Sequence, residues 1–305
     1  MGRISIPGKG VDSLILIGEN VQILAKVVSE AIQSRDARPL QELAVKQAEA
    51  GVHYLDLNIG PARKNPEETM GWLVDKIQEV VDTPLCLDTT NPVAMEAGLA
   101  RCERRAIINS ANGTAASREK MMPLARKYDA HIIISVLNDA GIPHDAASRA
   151  ESILETVEYA NGLGIPNPAI WVDPIMMPVA VAQPQAVEVL EFLKLLPDLL
   201  PETRSTVGLS NLSNGVPARL RPFLNRVMLV MAQRVGLTSA IVDSFDHDLI
   251  RLAGGEPRHL VDLVHRTMDG EPVDMASLSS EARDVYKTAR VLLGHELFSP
   301  SWLEL

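Results

Sequence analysis

Short apolar runs rich in β-branched residues recur through the chain, each followed by polar residues and separated from the next by room for a helix. They lie at 13–18, 52–59, 84–87, 106–108, 131–137, 169–172, 205–209 and 239–242, eight in all. Their continuous apolar character, without polar alternation, is that of strands buried on both faces. Between them lie segments with 3.6-residue periodicity and recognisable stops, such as 39–50 before Gly51 and 145–160 before Asn161 and Gly162. Eight strand-then-helix units predict an α/β fold, a closed parallel (β/α)8 TIM barrel. An open doubly wound sheet is the rival, but no GxGxxG follows the first run, where a dinucleotide fold places its phosphate-binding turn. Past the last run, 246–305 holds helical stretches at 257–268 and 280–295, which would cover the barrel wall or form an oligomer contact. With no internal repeat, low-complexity tract or linker, 1–305 reads as one domain whose 246–305 part is helical.

Net charge narrows the partners. At −10, with no clustered Lys and Arg, the chain does not offer a surface for nucleic acid or an anionic membrane. Its two cysteines, Cys86 and Cys102, make neither a disulfide framework nor a CxxC, which suits a reducing compartment. Residues 1–10 lack the apolar stretch of a leader, and no run reaches the roughly 18 apolar residues of a membrane span. The expected location is cytoplasmic, and on that reading the Asn112 and Asn211 sequons carry no glycan.

In such a barrel the C-terminal strand ends form the active face, so the polar residues after each run are the candidates for chemistry. They are Glu19 and Asn20; Asp56 and Asn58; Asp88, Thr89 and Asn91; Asn109, Ser110 and Asn112; Ser135 and Asn138; Asp173; Ser210, Asn211, Ser213 and Asn214; and Asp243. Aspartate and asparagine dominate, and the mouth is read as having essentially no Lys, Arg, His or Cys. Asp accepts from paired N–H groups while Asn offers a donor and an acceptor, so the set suits a neutral heterocycle with a mixed edge, such as a pterin. Taken singly, an Asp or Asn after a strand is the ordinary N-cap of the next helix, and Pro92 after Asn91 and Pro174 after Asp173 favour local turn roles there. Repetition of the same two residue types at successive ends argues for more than capping, which Ser and Thr serve equally.

The runs Leu55-Asp56-Leu57-Asn58-Ile59-Gly60, Leu87-Asp88-Thr89-Thr90-Asn91, Ile108-Asn109-Ser110, Val172-Asp173-Pro174 and Gly208-Leu209-Ser210-Asn211-Leu212-Ser213 together resemble, in order and over nearly the whole chain, the pterin-binding barrel of the methyltetrahydrofolate:corrinoid protein methyltransferases. The folate module of cobalamin-dependent methionine synthase is similar. Each motif alone is weak; their order makes the resemblance. It implies transfer of a methyl group between N5 of 5-methyltetrahydrofolate and the cobalt of a corrinoid carried by a partner protein, in one-carbon metabolism, by a homodimer. On this resemblance Asp88, Asn109 and Asp173 hold the pterin edge, Asp56 and Asn58 line the same pocket, and Asn211 reaches N5 as the catalytic residue. Ser210 and Asn214 are weaker candidates, since the family often has Gln where Asn214 stands. Relatives also commonly read Gly-Glu-Arg where this chain has Gly18-Glu19-Asn20, which leaves the role of Glu19 open and suggests an O-demethylase or methylamine/betaine type system over the acetogenic one.

The chemistry sets further expectations. Breaking a C–N bond to a tertiary amine requires proton or hydrogen-bond donation to the leaving nitrogen. No Cys/His cluster has zinc spacing, the seven histidines are scattered, and no Asp-x-His-x-x-Gly is present, so no protein-bound metal is expected and the corrinoid arrives on another chain. Two alternatives stand beside this reading. Dihydropteroate synthase shares such a pocket but needs a basic site for pyrophosphate, where this chain has Asp243-Ser244-Phe245-Asp246. A non-catalytic folate-binding subunit would bind pterin without turnover.

Overall fold

The computed structural model describes residues 14–61 and 64–304. Ser13, heading the first expected strand, and residues 1–10, read above for a leader, lie outside them. Among the described residues there are eight strands: β1 Ile15–Gln22, β2 Tyr54–Asn58, β3 Leu85–Asp88, β4 Ile107–Asn112, β5 His131–Ser135, β6 Ile170–Asp173, β7 Arg204–Ser205 and β8 Ser239–Val242. They run parallel in the order β7-β6-β5-β4-β3-β2-β1-β8. The seam between β7 and β8 is joined by Ile241 N–H donating to the Val207 carbonyl at 2.9 Å and by a parallel bridge from Gly208 to Ile241. Ser205 and Thr238 strengthen it, each hydroxyl accepting from the other residue's backbone N–H at 2.8 and 2.9 Å. The sheet thus closes into the expected barrel.

Side chains of alternate strand residues enter the barrel, and this period of two builds its interior in layers. Ile17, Cys86, Ile107, Ile133 and Trp171 form a sealed plug, with Ile15, Tyr54 and Ile241 packed against it. Trp171 is its largest member, 1 % exposed and met edge-on by the Tyr54 ring at 5.7 Å. Burying its roughly 200 Å² contributes on the order of 5 kcal/mol. Two residues onward from this plug the same inward positions carry Glu19, Asp56, Asp88, Asn109, Ser135, Asp173 and Asp243. The floor is therefore apolar and the layer above it polar.

Two strands carry irregularities that the apolar pattern does not reveal. In β1 the pairing with β2 shifts between Gly18 and Val21, and in β4 the pairing with β5 shifts between Ile108 and Ala111. Both strands also run further than expected, to Gln22 and Asn112, because bulges keep the ladder going past the polar residues. β7 is shorter than expected: only Arg204–Ser205 is ladder, and Leu209–Ser213 forms a 3-10 turn.

Helices cover the outer face, where the large hydrophobic core lies between them and the sheet. The expected helix at 39–50 is Arg38–Glu49, followed by Gly51 at φ +87. The one at 145–160 runs longer, Ala146–Gly162, because the left-handed stop is Gly164 at φ +82 rather than Gly162. Arg258–Met268 and Ser280–Leu292 follow β8 as expected and pack on Arg221–Arg234 and on each other. No helix among the described residues is long and apolar enough to cross a membrane.

Candidate functional site

At the C-terminal end of the barrel, neighbouring strands bring acids and amides into pairs. Register places Asn58 opposite Asp88 and Asp88 opposite Asn109, side by side on β2, β3 and β4. The Asn58 amide donates to an Asp88 carboxylate oxygen, and its own carbonyl accepts from Gly60 N–H at 3.0 Å. Asn109 Nδ2 donates to Asp56 Oδ1 at 3.1 Å. The positive φ of Gly60, +60, lets the chain turn sharply after β2, and its carbonyl is held by the Thr89 hydroxyl at 2.6 Å.

Burial separates the acids by depth. Asp56 is 3 % exposed, and desolvation, followed by the neighbouring Asp88, lifts its carboxyl well above the usual range. Cys86, fully buried beside it, is likewise raised by burial and is a neutral thiol. Asp88 lies nearer the opening, and burial raises it to about 6 against the opposing pull of the Asn58 bond. Asp56 is the partner that keeps its proton while Asp88 ionises, since two adjacent carboxylates in a dry site do not both charge readily. Asp173, at the end of β6, is also raised by burial to about 6. It accepts from Ile175 N–H at 2.8 Å, and Arg149, itself buried and anchored on the Pro174 carbonyl at 3.0 Å, offsets part of the burial cost. At neutral pH the layer thus offers ionised acceptors, Asp88 and Asp173, beside a protonated Asp56 and two amides. That is a mixed donor–acceptor edge.

A second group joins β1, β8 and the 3-10 turn. Ser210 Oγ donates to Glu19 Oε1 at 2.5 Å. Burial raises the Glu19 carboxyl, with Asp243 adding to the effect and Arg221 opposing it. Asn20 bridges to β8, its Nδ2 donating to Asp243 Oδ1 at 2.7 Å and its Oδ1 accepting from the Ser244 hydroxyl at 2.6 Å. Asn211 and Asn214 lie exposed on the same turn and its exit, 3.5 Å apart from Nδ2 to Oδ1.

The structure therefore brings together Asp56, Asn58, Asp88 and Asn109, places Asp173 at the end of β6, and joins Ser210 to Glu19, with Asn211 and Asn214 on the adjoining rim. Other strand-end polar residues serve local geometry. Asn91 caps Pro92–Leu99 by accepting from Val93 and Ala94, while Asn112 accepts from Thr114 N–H and Asn138 from Ala140 N–H. One expectation is corrected: the mouth does hold a cation. Arg221 donates from Nε to Ser213 Oγ at 3.0 Å and from a terminal nitrogen to the Ser210 carbonyl at 3.3 Å. Sequence reasoning passed over it because it begins a helix rather than ending a strand. Gln47 was missed too: wholly buried on the helix Arg38–Glu49, its Oε1 accepts from Asn20 N–H at 3.1 Å, a role no local signal marks.

A sealed floor beneath an inward layer of Asp and Asn on successive strands is the build of a pterin-type barrel. The chain belongs to the pterin binding enzyme family, whose profile matches residues 26–243. It is 29% identical over 239 residues to the methylcorrinoid:tetrahydrofolate methyltransferase of Eubacterium limosum, spanning 78% of this chain and 88% of that protein. It is 28% identical over 249 residues to the methionine synthase of Mycobacterium leprae (strain TN), where the match spans 78% of this chain and 21% of that one. Among solved structures, dihydropteroate synthase from Xanthomonas albilineans with 4-aminobenzoic acid superposes with a TM-score of 0.62 at 15% identity, covering 87% of this chain and 96% of that one. Dihydropteroate synthase from Coxiella burnetii in complex with pteroic acid gives 0.60 at 14% identity, over 80% and 93%. These two establish the shared fold.

Proposed function

We propose that this protein is a methyltransferase that moves a methyl group between N5 of 5-methyltetrahydrofolate and the cobalt of a corrinoid presented by a partner protein. The observation that carries the reading is the split character of the mouth: a pterin-edge set on β2, β3, β4 and β6, and opposite it a turn that presents Ser210 and Asn211 beside acids instead of a free basic cradle. Similarity to the Eubacterium limosum enzyme over most of both chains supports it.

In this reading Asp88 and Asp173 accept from the pterin's amino and ring N–H groups, Asn109 and Asn58 supply the amide contacts, and protonated Asp56 holds Asn109 in orientation from below. Asn211, on the exposed turn, donates a hydrogen bond to N5 as the C–N bond breaks, and Asn214 supports it from three residues onward. The residues contribute positioning and electrostatics, while Co(I) on the partner supplies the nucleophile. The barrel with its C-terminal helices acts as one unit, in a homodimer. The corrinoid partner belongs to a system of the O-demethylase or methylamine/betaine type.

Dihydropteroate synthesis is the reading that the structural neighbours bring forward. Against it stand Glu19 and Asp243, which face the turn where a pyrophosphate would sit, and Arg221, whose guanidinium is spent on Ser213 and the Ser210 carbonyl. The test is anaerobic mixing of the protein with methyltetrahydrofolate and free Co(I) cobalamin while following the cobalt absorbance. Catalysed formation of methyl–Co(III) is expected. Condensation of a pterin pyrophosphate with 4-aminobenzoate, without methyl transfer, would overturn the assignment.

A further inference from the structure

We infer that Glu19, acting through Ser210, is the proton reservoir for N5: it supplies the proton when the methyl leaves the folate and receives it in the reverse transfer. This rests on the methyltransferase reading and adds the source of the proton, which an amide such as Asn211 is too weak an acid to be.

Local backbone structure is built to aim this one carboxyl. Glu19 sits in the β1 irregularity between Gly18 and Val21, where a bulge re-aims side chains. A Cβ at Gly18 would lie 2.4 Å from Gln47 Oε1 and displace it, and that same oxygen holds Asn20 N–H at 3.1 Å. With the peptide that follows it held by that buried glutamine, Glu19 meets the 3-10 turn. There it meets Ser210 at 2.5 Å, the residue immediately before Asn211.

The other acids of the mouth are engaged elsewhere. Asp88 and Asp173 belong to the pterin edge, and Asp243 accepts from Asn20 Nδ2 at 2.7 Å and from Phe245 N–H at 3.0 Å. Glu19 is faced by Asp243 from β8, by Asp56 from β2 and by Arg221 from the helix Arg221–Arg234. Burial, with Asp243 adding to it, favours its neutral form over the opposing pull of the Ser210 hydrogen bond and Arg221, and the neutral form is the one a reservoir must hold.

The step balances as follows. With Glu19 protonated the serine hydroxyl turns to N5 and the Glu19 O–H donates to Ser210 Oγ across the same contact. The Glu19 O–H bond then breaks with its electron pair left on the carboxylate, and the proton passes to Ser210 Oγ as the serine's own proton moves to the lone pair of N5. The C–N bond then breaks with its pair remaining on N5, which becomes a neutral N–H amine, while two electrons from Co(I) form the Co–C bond. Solvent reprotonates Glu19. Because it acts through Ser210, Glu19 is a positioning residue.

The test is the pH dependence of the single-turnover rate at saturating methyltetrahydrofolate with Co(I) cobalamin, for the wild type, E19Q, S210A and the double variant. Wild type should level off at low pH, where Glu19 is protonated, and slow as pH rises past its titration. E19Q should lose the plateau, its rate following solvent proton concentration throughout, and should run about 100-fold slower at pH 7. S210A should show the same change, and the double variant should be no slower than E19Q. Calorimetric folate affinity should stay within a few-fold in every variant. An E19Q rate profile that keeps the wild-type plateau and break, at whatever absolute rate, overturns the inference; should E19Q not fold, S210A decides on the same criterion. A wild-type protein that transfers no methyl at any pH defeats the methyltransferase reading itself, and the inference with it.

Discussion

Lowering the pH from 7 to 5 should weaken pterin binding about a hundredfold, and the size follows from two side chains. Asp88 and Asp173 are both raised by burial to about 6. Pterin N–H donors favour the ionised form, so binding lowers both values, and affinity is near full at about pH 7 and lost as pH falls through about 6. With titration at about 6, each carboxyl is roughly nine-tenths ionised at pH 7 and one-tenth at pH 5, about tenfold in affinity or about 1.4 kcal/mol each. The two lie on separate strands and contribute independently, giving about a hundredfold. Asp173→Asn removes one of them. It should cost about 1.5–3 kcal/mol of affinity at pH 7 through loss of a charged acceptor, and should reduce the remaining pH dependence to about tenfold. Isothermal titration calorimetry at half-unit intervals, with a pterin that does not itself titrate in this window, measures both quantities. A wild-type Kd that is flat from pH 7 to 5, or a D173N variant that keeps the whole hundredfold change, would refute the argument.

The same burial makes a stability prediction of opposite sign. Since Asp88 titrates higher in the folded chain than the usual 3.8, its contribution to stability is fully present below about pH 4 and is lost as pH rises through about 6. Asp88→Asn should therefore stabilise the ligand-free protein by about 1–3 kcal/mol at pH 7, a gain that chemical denaturation should show vanishing near pH 4, while pterin affinity collapses. Asn211→Ala should slow single-turnover transfer about 100-fold with less than a tenfold change in folate Kd, as stopped-flow and calorimetry can separate; equal losses in both would make Asn211 a binding contact only. Gly18→Ala should destabilise by about 1–3 kcal/mol in urea titration by displacing Gln47, whereas an unchanged midpoint would mean the glutamine moves without cost.

How much of this was written in the amino-acid order depends on how local the cause is. Burial of a strand on two faces leaves a continuous apolar run, so all eight strands were readable, and β8 agrees to the residue. Helix stops set by glycine were readable within a turn, although choosing Gly164 over Gly162 took the backbone angles. The Asp and Asn positions followed from the two-residue period that sets Asp56 above Tyr54 and Asp88 above Cys86. Which of them face a ligand did not follow. Asn91 and Asn112 accept from their own turns, while Asn58 and Asn109 reach across to neighbouring strands, and nothing in the residue type separates the two fates. The bulges in β1 and β4, the Ser210–Glu19 bond between residues 191 positions apart and the Arg221 contact all require the barrel to close first. Sequence alone determined the fold and the acids and amides at the strand ends, because hydrophobic periodicity is a local property. Only the tertiary structure decided which acid stays protonated and which carboxyl meets the serine turn, because burial depth and cross-barrel distance exist only once the strands are in register.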